Sequence, residues 1–256
     1  MLYDTHCHIN DKAFAQDMEQ VIENAHKNGV ERMNIVGCDW ETSKSAVEIA
    51  EKYQGIYAVV GVHPNDSHTY CDDLEESLIE WAKNPKVVAI GEIGLDYHYD
   101  DTDKEIQAIV FKRQLNLAHK LGLPIVIHSR DAMADTLKIL KEERQKNDYK
   151  GVFHCYSGSY EDALTIIKMG FYIGVDGPLT YANSKKTPII VKKMPLDRLV
   201  IETDCPYLTP KQYRGKRNEP AYVRFVAEKI AELRDISPEE AAQITTENAQ
   251  RLFKVT

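Results

Sequence analysis

The chain has 256 residues, of which 43% are hydrophobic and 28% are charged. This composition is globular and excludes a disordered or fibrous protein. The formal net charge of −8 argues against loose, non-specific binding of nucleic acid. No run approaches the roughly 20 apolar residues that span a bilayer, and the five cysteines never form a C-x-x-C pair. We therefore expect a cytoplasmic protein with no membrane partner, no disulfide scaffold and no cysteine zinc site.

Short apolar, β-branched runs alternate with amphipathic stretches, which predicts repeated strand–helix units and a parallel sheet. The predicted strands, in chain order, are residues 2–8, 32–36, 56–62, 87–93, 124–128, 151–155, 171–175 and 199–202. The clearest helix spans about residues 104–121 and ends at Gly122. Two further helices, over about residues 220–234 and 238–253, close the chain.

Eight strand–helix units without a break in composition predict an α/β fold, a single-domain (β/α)8 TIM barrel over residues 1–256. The unit between residues 175 and 199 is the weakest, because its three prolines leave room for only a short helix. An open dinucleotide-binding sheet has little support, since no G-x-G-x-x-G follows the first strand.

Histidines and carboxylates lie at the C-terminal ends of these strands, where a barrel of this kind carries its active site. They are His6 and His8 in the first strand, His63 after the third, Glu92 in the fourth, His128 in the fifth, His154 in the sixth and Asp204 after the eighth. We expect these side chains to converge on one mouth of the barrel.

The ligand chemistry indicates divalent metals. His6 and His8 share one face of a strand, so both imidazoles can bind one ion, although an H-x-H pattern alone also arises by chance. Nitrogen and carboxylate ligands without thiolates suit Zn, Mn, Fe or Mg better than a soft metal, and Mg, Mn and Zn are the expected candidates. Four histidines and two carboxylates exceed what a single open site requires, which favours two ions clamping a phosphoryl group.

The charge is distributed unevenly. Residues 183–217 contain nine basic and three acidic residues, a local charge of +6. This segment is either a solvated basic surface or an anion-binding face. Next to a site with two divalent cations, the second interpretation favours a phosphorylated substrate.

Six short phrases, in this order, resemble the TatD-type metal-dependent deoxyribonucleases, a branch of the amidohydrolase superfamily with a (β/α)8 barrel. The resemblance covers nearly the whole chain. The phrases are DTHCH at 4–8, GVHP at 61–64, GEIGLDY at 91–97, IHSR at 127–130, HCYSG at 154–158 and ETDCPYL at 202–208.

The resemblance implies two divalent metals and hydrolysis of nucleic-acid phosphodiesters, often as a 3′→5′ exonuclease on single strands. Carried over, the first metal would be bound by His6, His8 and Asp204. The second would be bound by His128 and His154, and Glu92 would bridge both. Asp204 would also orient or deprotonate the attacking water.

We therefore expect a metal-dependent hydrolase that cleaves ester bonds of single-stranded DNA, or RNA, with a metal-activated water. Glu92, Asp204 and His63 are the expected catalytic residues. His63 is either a phosphate contact or proton donor, or a ring packed at the rim. Further candidate phosphate contacts are Arg130, Tyr156 and Ser157, although Arg130 could equally pair with a carboxylate. Tyrosines near strand ends either stack unpaired bases or pack loops; the candidates are Tyr97, Tyr99, Tyr156, Tyr181 and Tyr207.

Other functions remain open on the sequence alone. The same ligands serve hydrolases of C–N or ester bonds, such as those of a cyclic amide or a D-aminoacyl-tRNA. A non-enzymatic metal-binding scaffold fits less well, because such a ligand set normally leaves an open position for water. The expected partner is a nucleic-acid end, and no obligate protein partner is evident.

Overall fold

The computed structural model describes residues 1–99 and 102–255. Within these ranges, eight β-strands alternate with α-helices and short 3₁₀ turns. The strands are β1 (Leu2–Cys7), β2 (Val30–Val36), β3 (Ile56–Val60), β4 (Val87–Asp96), β5 (Ile125–Arg130), β6 (Gly151–Phe153), β7 (Tyr172–Val175) and β8 (Leu199–Ile201). The α-helices are α1 (Met18–Lys27), α2 (Trp40–Lys52), α3 (Asp72–Trp81), α4 (Lys104–Leu121), α5 (Met133–Glu143), α6 (Tyr160–Lys168), α7 (Thr187–Lys193), α8 (Val223–Arg234) and α9 (Pro238–Phe253).

The strands follow one another in the sheet in chain order, from β1 to β8. Residue contacts divide the chain into two compact units. Unit 1 contains Met1–Ile35 and His154–Thr256, and unit 2 contains Val36–Phe153. The strand pairs described within each unit are parallel: β1 with β2 and β7 with β8 in unit 1, and β3 with β4, β4 with β5 and β5 with β6 in unit 2. In each of these pairs the C-terminal strand ends therefore lie at the same edge.

Strand β4 is the longest, and all ten of its residues are buried. A parallel strand that is covered on both faces reads as a near-continuous apolar run, which is why its sequence contains so few polar residues. It continues three residues beyond the predicted end at residue 93. The extension pairs with β5, with Gly94 opposite His128 and Asp96 opposite Arg130. A glycine and an aspartate are poor strand formers, so this pairing could not be seen in the local sequence.

The helix ends follow their capping residues. The Asp103 side chain accepts a hydrogen bond from the backbone N–H of Glu105 at 2.8 Å, and α4 ends at Gly122 with a left-handed φ of 68°. The predicted bounds of α4 and α9 are confirmed. The predicted helix over residues 220–234 begins instead as a 3₁₀ turn, Pro220–Tyr222, which leads into α8.

None of the helices described over residues 1–99 and 102–255 has the length and apolar character needed to cross a membrane. The cytoplasmic location and the single domain over residues 1–256 stay predictions.

Gly94 provides a test of the packing between β4 and β5. Its φ is 143°, and a β-carbon at this position would overlap the carbonyl oxygen of His128. We expect Gly94→Ala to lower the free energy of unfolding by about 2 kcal/mol or more, because backbone strain and overpacking each cost roughly 1–3 kcal/mol. Urea unfolding of the purified variant measures this loss.

Gly170→Ala is the matched control. Gly170 also has a left-handed φ, 86°, but a β-carbon there would meet no atom within 4 Å. Its cost should be limited to about 1 kcal/mol of backbone conformation. Equal losses in the two variants would show that the overlap between a β-carbon at position 94 and His128 costs no stability beyond the backbone strain.

Candidate metal-binding clusters

The first group of candidate ligands lies in unit 1 and is called here the β1–β8 cluster: His6, His8, His154, Glu202 and Asp204. His6 is a buried residue of β1, and His8 lies just beyond that strand. Two backbone hydrogen bonds hold the strand end to the segment after β8. The His8 N–H donates to the Cys205 carbonyl at 2.8 Å, and the Asp204 N–H donates to the His6 carbonyl at 2.9 Å. The three candidate ligands that end β1 and follow β8 are therefore held on a fixed backbone.

The ligand atoms of this cluster have the spacing of a metal's coordination shell. His6 Nε2 lies 3.1 Å from His8 Nε2, and Asp204 Oδ1 lies 3.6 Å and 3.4 Å from these two nitrogens. A metal bound at about 2.0–2.2 Å places neighbouring ligand atoms about 3–3.5 Å apart. Two imidazole nitrogens and a carboxylate oxygen face one another here, and a shared cation would satisfy all three at once.

Asp204 stays ionised in this setting. Burial by itself raises the pKa of Asp204, but the hydrogen bond from His8 and the charges of His6 and His8 outweigh it and hold the pKa below its usual range. The carboxylate is therefore available at neutral pH both as a ligand and as a proton acceptor.

His154 and Glu202 complete the cluster. The ring of His154 stacks on that of His6 with centroids 4.1 Å apart, and its Nδ1 lies 4.0 Å from Glu202 Oε1. Glu202 also accepts hydrogen bonds from the Cys155 N–H and from Thr5 Oγ1. Burial raises the pKa of Glu202 to about 8, although the charge of His154 and the Cys155 N–H oppose the shift. The structure thus places His154 beside His6 in unit 1, and its expected pairing with His128 on a second metal stays a prediction.

Asp4 holds the turn that carries Asp204. It is fully buried and accepts hydrogen bonds from the Thr203 N–H at 2.9 Å and from Thr203 Oγ1 at 2.5 Å. Asp204 itself adopts a left-handed φ of 54°. Anchoring Thr203 through its backbone and its hydroxyl fixes the direction in which the next side chain leaves the chain.

The second group lies in unit 2 and is called here the β4–β5 cluster: His63, Glu92, Asp96 and His128. Glu92 and Asp96 belong to β4, where both are buried, and His128 belongs to β5. His128 Nδ1 lies 2.7 Å from Glu92 Oε1, and His128 Nε2 lies 3.1 Å from Asp96 Oδ2. The imidazole is thus held between two carboxylates, in the pattern by which a carboxylate orients a metal-binding histidine.

The Asp96 carboxylate decides which nitrogen of His128 carries a proton. Burial by itself raises the pKa of Asp96, but hydrogen bonds from His128 and from the His98 N–H hold the pKa below its usual range. An ionised carboxylate only accepts, so His128 Nε2 donates to it. Glu92 Oε1 lies 2.7 Å from His128 Nδ1 and accepts a proton from it in the same way when no cation is present; a cation that replaces this proton would be shared by Nδ1 and Glu92.

His63 has a hydrogen-bond pattern that suits a proton donor. The Asn65 N–H donates to His63 Nδ1 at 3.1 Å, so in the neutral ring the proton must lie on Nε2. His63 Nε2 in turn lies 3.6 Å from Glu92 Oε1. A nitrogen that carries a proton does not bind a metal, so this arrangement favours a proton donor or phosphate contact over a ligand.

The other candidate phosphate contacts have different surroundings. Arg130 and Ser157 are exposed, and the Arg130 guanidinium lies 5.5 Å from the centre of the Tyr99 ring. Tyr156 is buried, and its hydroxyl donates to the Ser159 carbonyl at 2.7 Å. Its hydroxyl is therefore already engaged in a turn. Phosphate binding by these three residues stays a prediction.

Sequence reasoning missed four carboxylates: Asp4, Asp96, Asp176 and Glu202. Three of them stand inside the phrases that carried the resemblance. Asp176, which follows β7, is buried, and burial raises its pKa to about 6. In the sequence, each of these residues is an acidic residue in or next to a strand. A residue that binds a metal and a residue that orients a ligand cannot be told apart in this way until the contacts are known.

Comparison with known proteins adds an independent line of evidence. A family model described as TatD related DNase matches residues 3–254. The chain is 50% identical over 259 residues to the uncharacterized metal-dependent hydrolase YabD of Bacillus subtilis, and the match covers all of both chains. It is 31% identical over 263 residues to a Citrobacter rodentium protein named 3′-5′ ssDNA/RNA exonuclease TatD, covering 100% of this chain and 98% of the relative.

The crystal structure of YjjV, a TatD homologue from Escherichia coli K12, is similar to this one with a TM-score of 0.93 and 33% sequence identity, covering 100% of this chain and 98% of that chain. Together with eight strands ordered along the chain, this likeness confirms the predicted (β/α)8 barrel.

The role of Asp96 as a positioning residue can be tested with Asp96→Asn. One carboxylate oxygen accepts from His128 and the other from the His98 N–H, so an amide would turn its NH₂ group towards one of these donors. Facing His128, it would force the ring proton onto Nδ1 and remove the lone pair on the Glu92 side. We expect the affinity for Mn²⁺ or Zn²⁺ to fall about 10–100-fold. Isothermal titration measures the affinity, and ¹⁵N shifts of the histidine rings report the tautomer.

Asp148→Asn removes the same charge from an exposed position and should leave both the metal affinity and the tautomer unchanged. If Asp96→Asn binds metal as tightly as the native protein, Asp96 does not position His128.

Proposed function

Because the chain belongs to the family of TatD-related DNases and is a metal-dependent hydrolase, we propose that it hydrolyses phosphodiester bonds of nucleic acids. The substrate that we propose is single-stranded DNA, or RNA, degraded from the 3′ end. The observation that carries this proposal is the pair of nitrogen–carboxylate clusters at strand ends, in which neighbouring atoms of the proposed ligands lie 2.7–3.6 Å apart. The name of the Citrobacter rodentium relative supports the substrate class.

Two divalent cations are the proposed cofactors, with Mg²⁺, Mn²⁺ and Zn²⁺ as the candidates. The residues that we propose as ligands are His6, His8, Glu92, His128, His154 and Asp204. When bound, such ions polarise a phosphoryl oxygen and lower the pKa of a water molecule. The arrangement of donor atoms within each cluster fits ions of this kind.

The protein's own groups then handle the protons. Asp204 is ionised at neutral pH, so it can accept a proton from the attacking water. His63 carries its proton on Nε2, because its Nδ1 accepts from the Asn65 N–H, so it can donate to the departing oxygen or to a phosphate oxygen. The exposed side chains of Arg130 and Ser157 are suited to hold the phosphate, and Tyr156 is a third proposed contact.

The substrate class can be tested directly with 3′-labelled and 5′-labelled single-stranded oligonucleotides. Metal-stripped protein should be inactive, and adding back Mg²⁺, Mn²⁺ or Zn²⁺ should restore stepwise loss of nucleotides from the 3′ end. Asp204→Asn should reduce the rate at least about 100-fold, since general base catalysis alone is worth 10²–10⁴-fold. Gel electrophoresis of timed samples measures both the rate and the direction.

Asp197→Asn is the control, because Asp197 is an exposed aspartate in the same unit. An intact, metal-loaded protein that leaves both oligonucleotides untouched would refute the phosphodiesterase proposal, and aminoacyl esters and cyclic amides would be the next substrates.

The proton donor can be tested by varying the leaving group. We expect His63→Gln to slow hydrolysis of an ordinary dinucleotide at least about 100-fold. Its effect on a nucleoside p-nitrophenyl phosphate should be much smaller, because that leaving group departs without a proton. Steady-state rates on both substrates measure the difference. Equal losses would assign His63 to phosphate binding or packing rather than to proton donation.

A further inference from the structure

The segment 202–219, which follows β8 in unit 1, carries an unusual combination of exposed side chains. Tyr207 is 58% exposed. Three cations follow it within nine residues, and all are exposed. We call these four residues the 207–216 rim: Tyr207, Lys211, Arg214 and Lys216.

The tyrosine end of the rim is anchored to the turn that contains Asp204. The Tyr207 N–H donates to the Asp204 carbonyl at 2.9 Å. The side-chain amide of Asn218, which is fully buried, donates to the carbonyls of both Thr203 and Tyr207 at 2.8 Å and 2.6 Å. An exposed aromatic ring is therefore held on a fixed backbone, three residues from a proposed ligand and base.

The cationic end is anchored to the segment after β7. Tyr181 donates its hydroxyl hydrogen to the Thr209 carbonyl at 2.7 Å, and the Lys211 N–H donates to Thr180 Oγ1 at 2.8 Å. The Arg214 guanidinium lies 5.0 Å from the centre of the Tyr181 ring. A ring fixed by its own hydroxyl thus supports the guanidinium from one side.

The positive charges of this segment are not equivalent. Arg217 pairs with Asp17, with nitrogen–oxygen distances of 2.8 Å and 2.6 Å, and lies over the Phe14 ring. Its charge is neutralised, and its role is to hold the segment to the residues before α1. Among the described residues, no acidic side chain forms an ion pair with Lys211, Arg214 or Lys216. The rim thus keeps three uncompensated positive charges in a chain whose net charge is −8.

We propose that the 207–216 rim binds single-stranded nucleic acid beside the bond to be cleaved, with a base stacked on Tyr207 and phosphates held by Arg214 and Lys211. This inference rests on the proposed function and assigns its strand-binding surface. An exposed tyrosine ring stacks on the face of an unpaired base, which a single strand offers at every nucleotide, and lysine and arginine bind its phosphates whatever the sequence. The rim therefore selects for single strands without selecting for a base.

Binding can be measured apart from cleavage with a fluorescent, phosphorothioate-linked oligothymidylate, which resists hydrolysis, and the manganese-loaded protein. Fluorescence anisotropy over a range of salt concentrations gives Kd and its salt dependence. Arg214→Gln and Lys211→Gln should each raise Kd and reduce the slope of log Kd against log salt by about 0.7, the value for one lost phosphate contact with a single strand.

The stacking contact has a different signature. Tyr207→Leu should raise Kd about fivefold or more, because base–aromatic stacking is worth at least about 1 kcal/mol, while the salt slope stays at the native value. Tyr207→Phe keeps the ring and should restore most of the affinity. Arg251→Gln removes a positive charge from an exposed position of α9 and should change neither Kd nor its salt dependence.

These outcomes separate the rim from the proposed function. One outcome is that the native protein cleaves ordinary DNA while Arg214→Gln, Lys211→Gln and Tyr207→Leu all keep the native Kd and salt slope. It would refute strand binding by the rim and leave the phosphodiesterase proposal intact. Binding that shows the expected signatures without any cleavage would support the rim and refute the phosphodiesterase. Equal affinity for a duplex of the same length, or for an acidic polypeptide, would overturn the proposal of a single-strand surface.

Discussion

Nitrogen and carboxylate groups held within hydrogen-bond distance of one another at strand ends are the constraint on which the rest of this structure depends. In unit 1, two imidazole nitrogens lie 3.1 Å apart beside a carboxylate oxygen, and in unit 2 an imidazole nitrogen lies 2.7 Å from another carboxylate. Without a cation, each of these contacts needs a proton between its two atoms, and the partly buried polar groups still carry a desolvation cost. Backbone hydrogen bonds between neighbouring segments keep these groups in place: the His8 N–H donates to the Cys205 carbonyl, and the Asp204 N–H donates to the His6 carbonyl.

The candidate ligands are supported by further buried carboxylates. Asp96 orients His128, Asp4 anchors the turn before Asp204, and Glu202 holds the Cys155 N–H beside His154. Each supporting group is a buried carboxylate with several donors. This polar layer behind the ligands explains how a chain can bury so many acidic groups and still fold.

The surface charge of the chain is also placed locally. A chain with a net charge of −8 repels a polyanion on average, so the proposed recognition of nucleic acid depends on a local positive surface. The segment after β8 satisfies this condition, because one arginine is neutralised by Asp17 while three other cations keep their charge. The loop that carries Asp204 thus also carries positive charge that no acidic side chain of the described residues neutralises.

The order and type of the elements, and the chemical groups at the strand ends, were determined by the sequence itself. Strand and helix periodicities are local, and so were the phrases that carried the family resemblance. The tertiary structure alone decided that β4 extends to Asp96, that Asp96 rather than a ligand faces His128 Nε2, and that Arg217 is neutralised while Arg214 is not. The partner of Arg217 is 200 residues away in the chain. Contacts of this kind depend on packing between distant segments, which no local pattern of residues encodes.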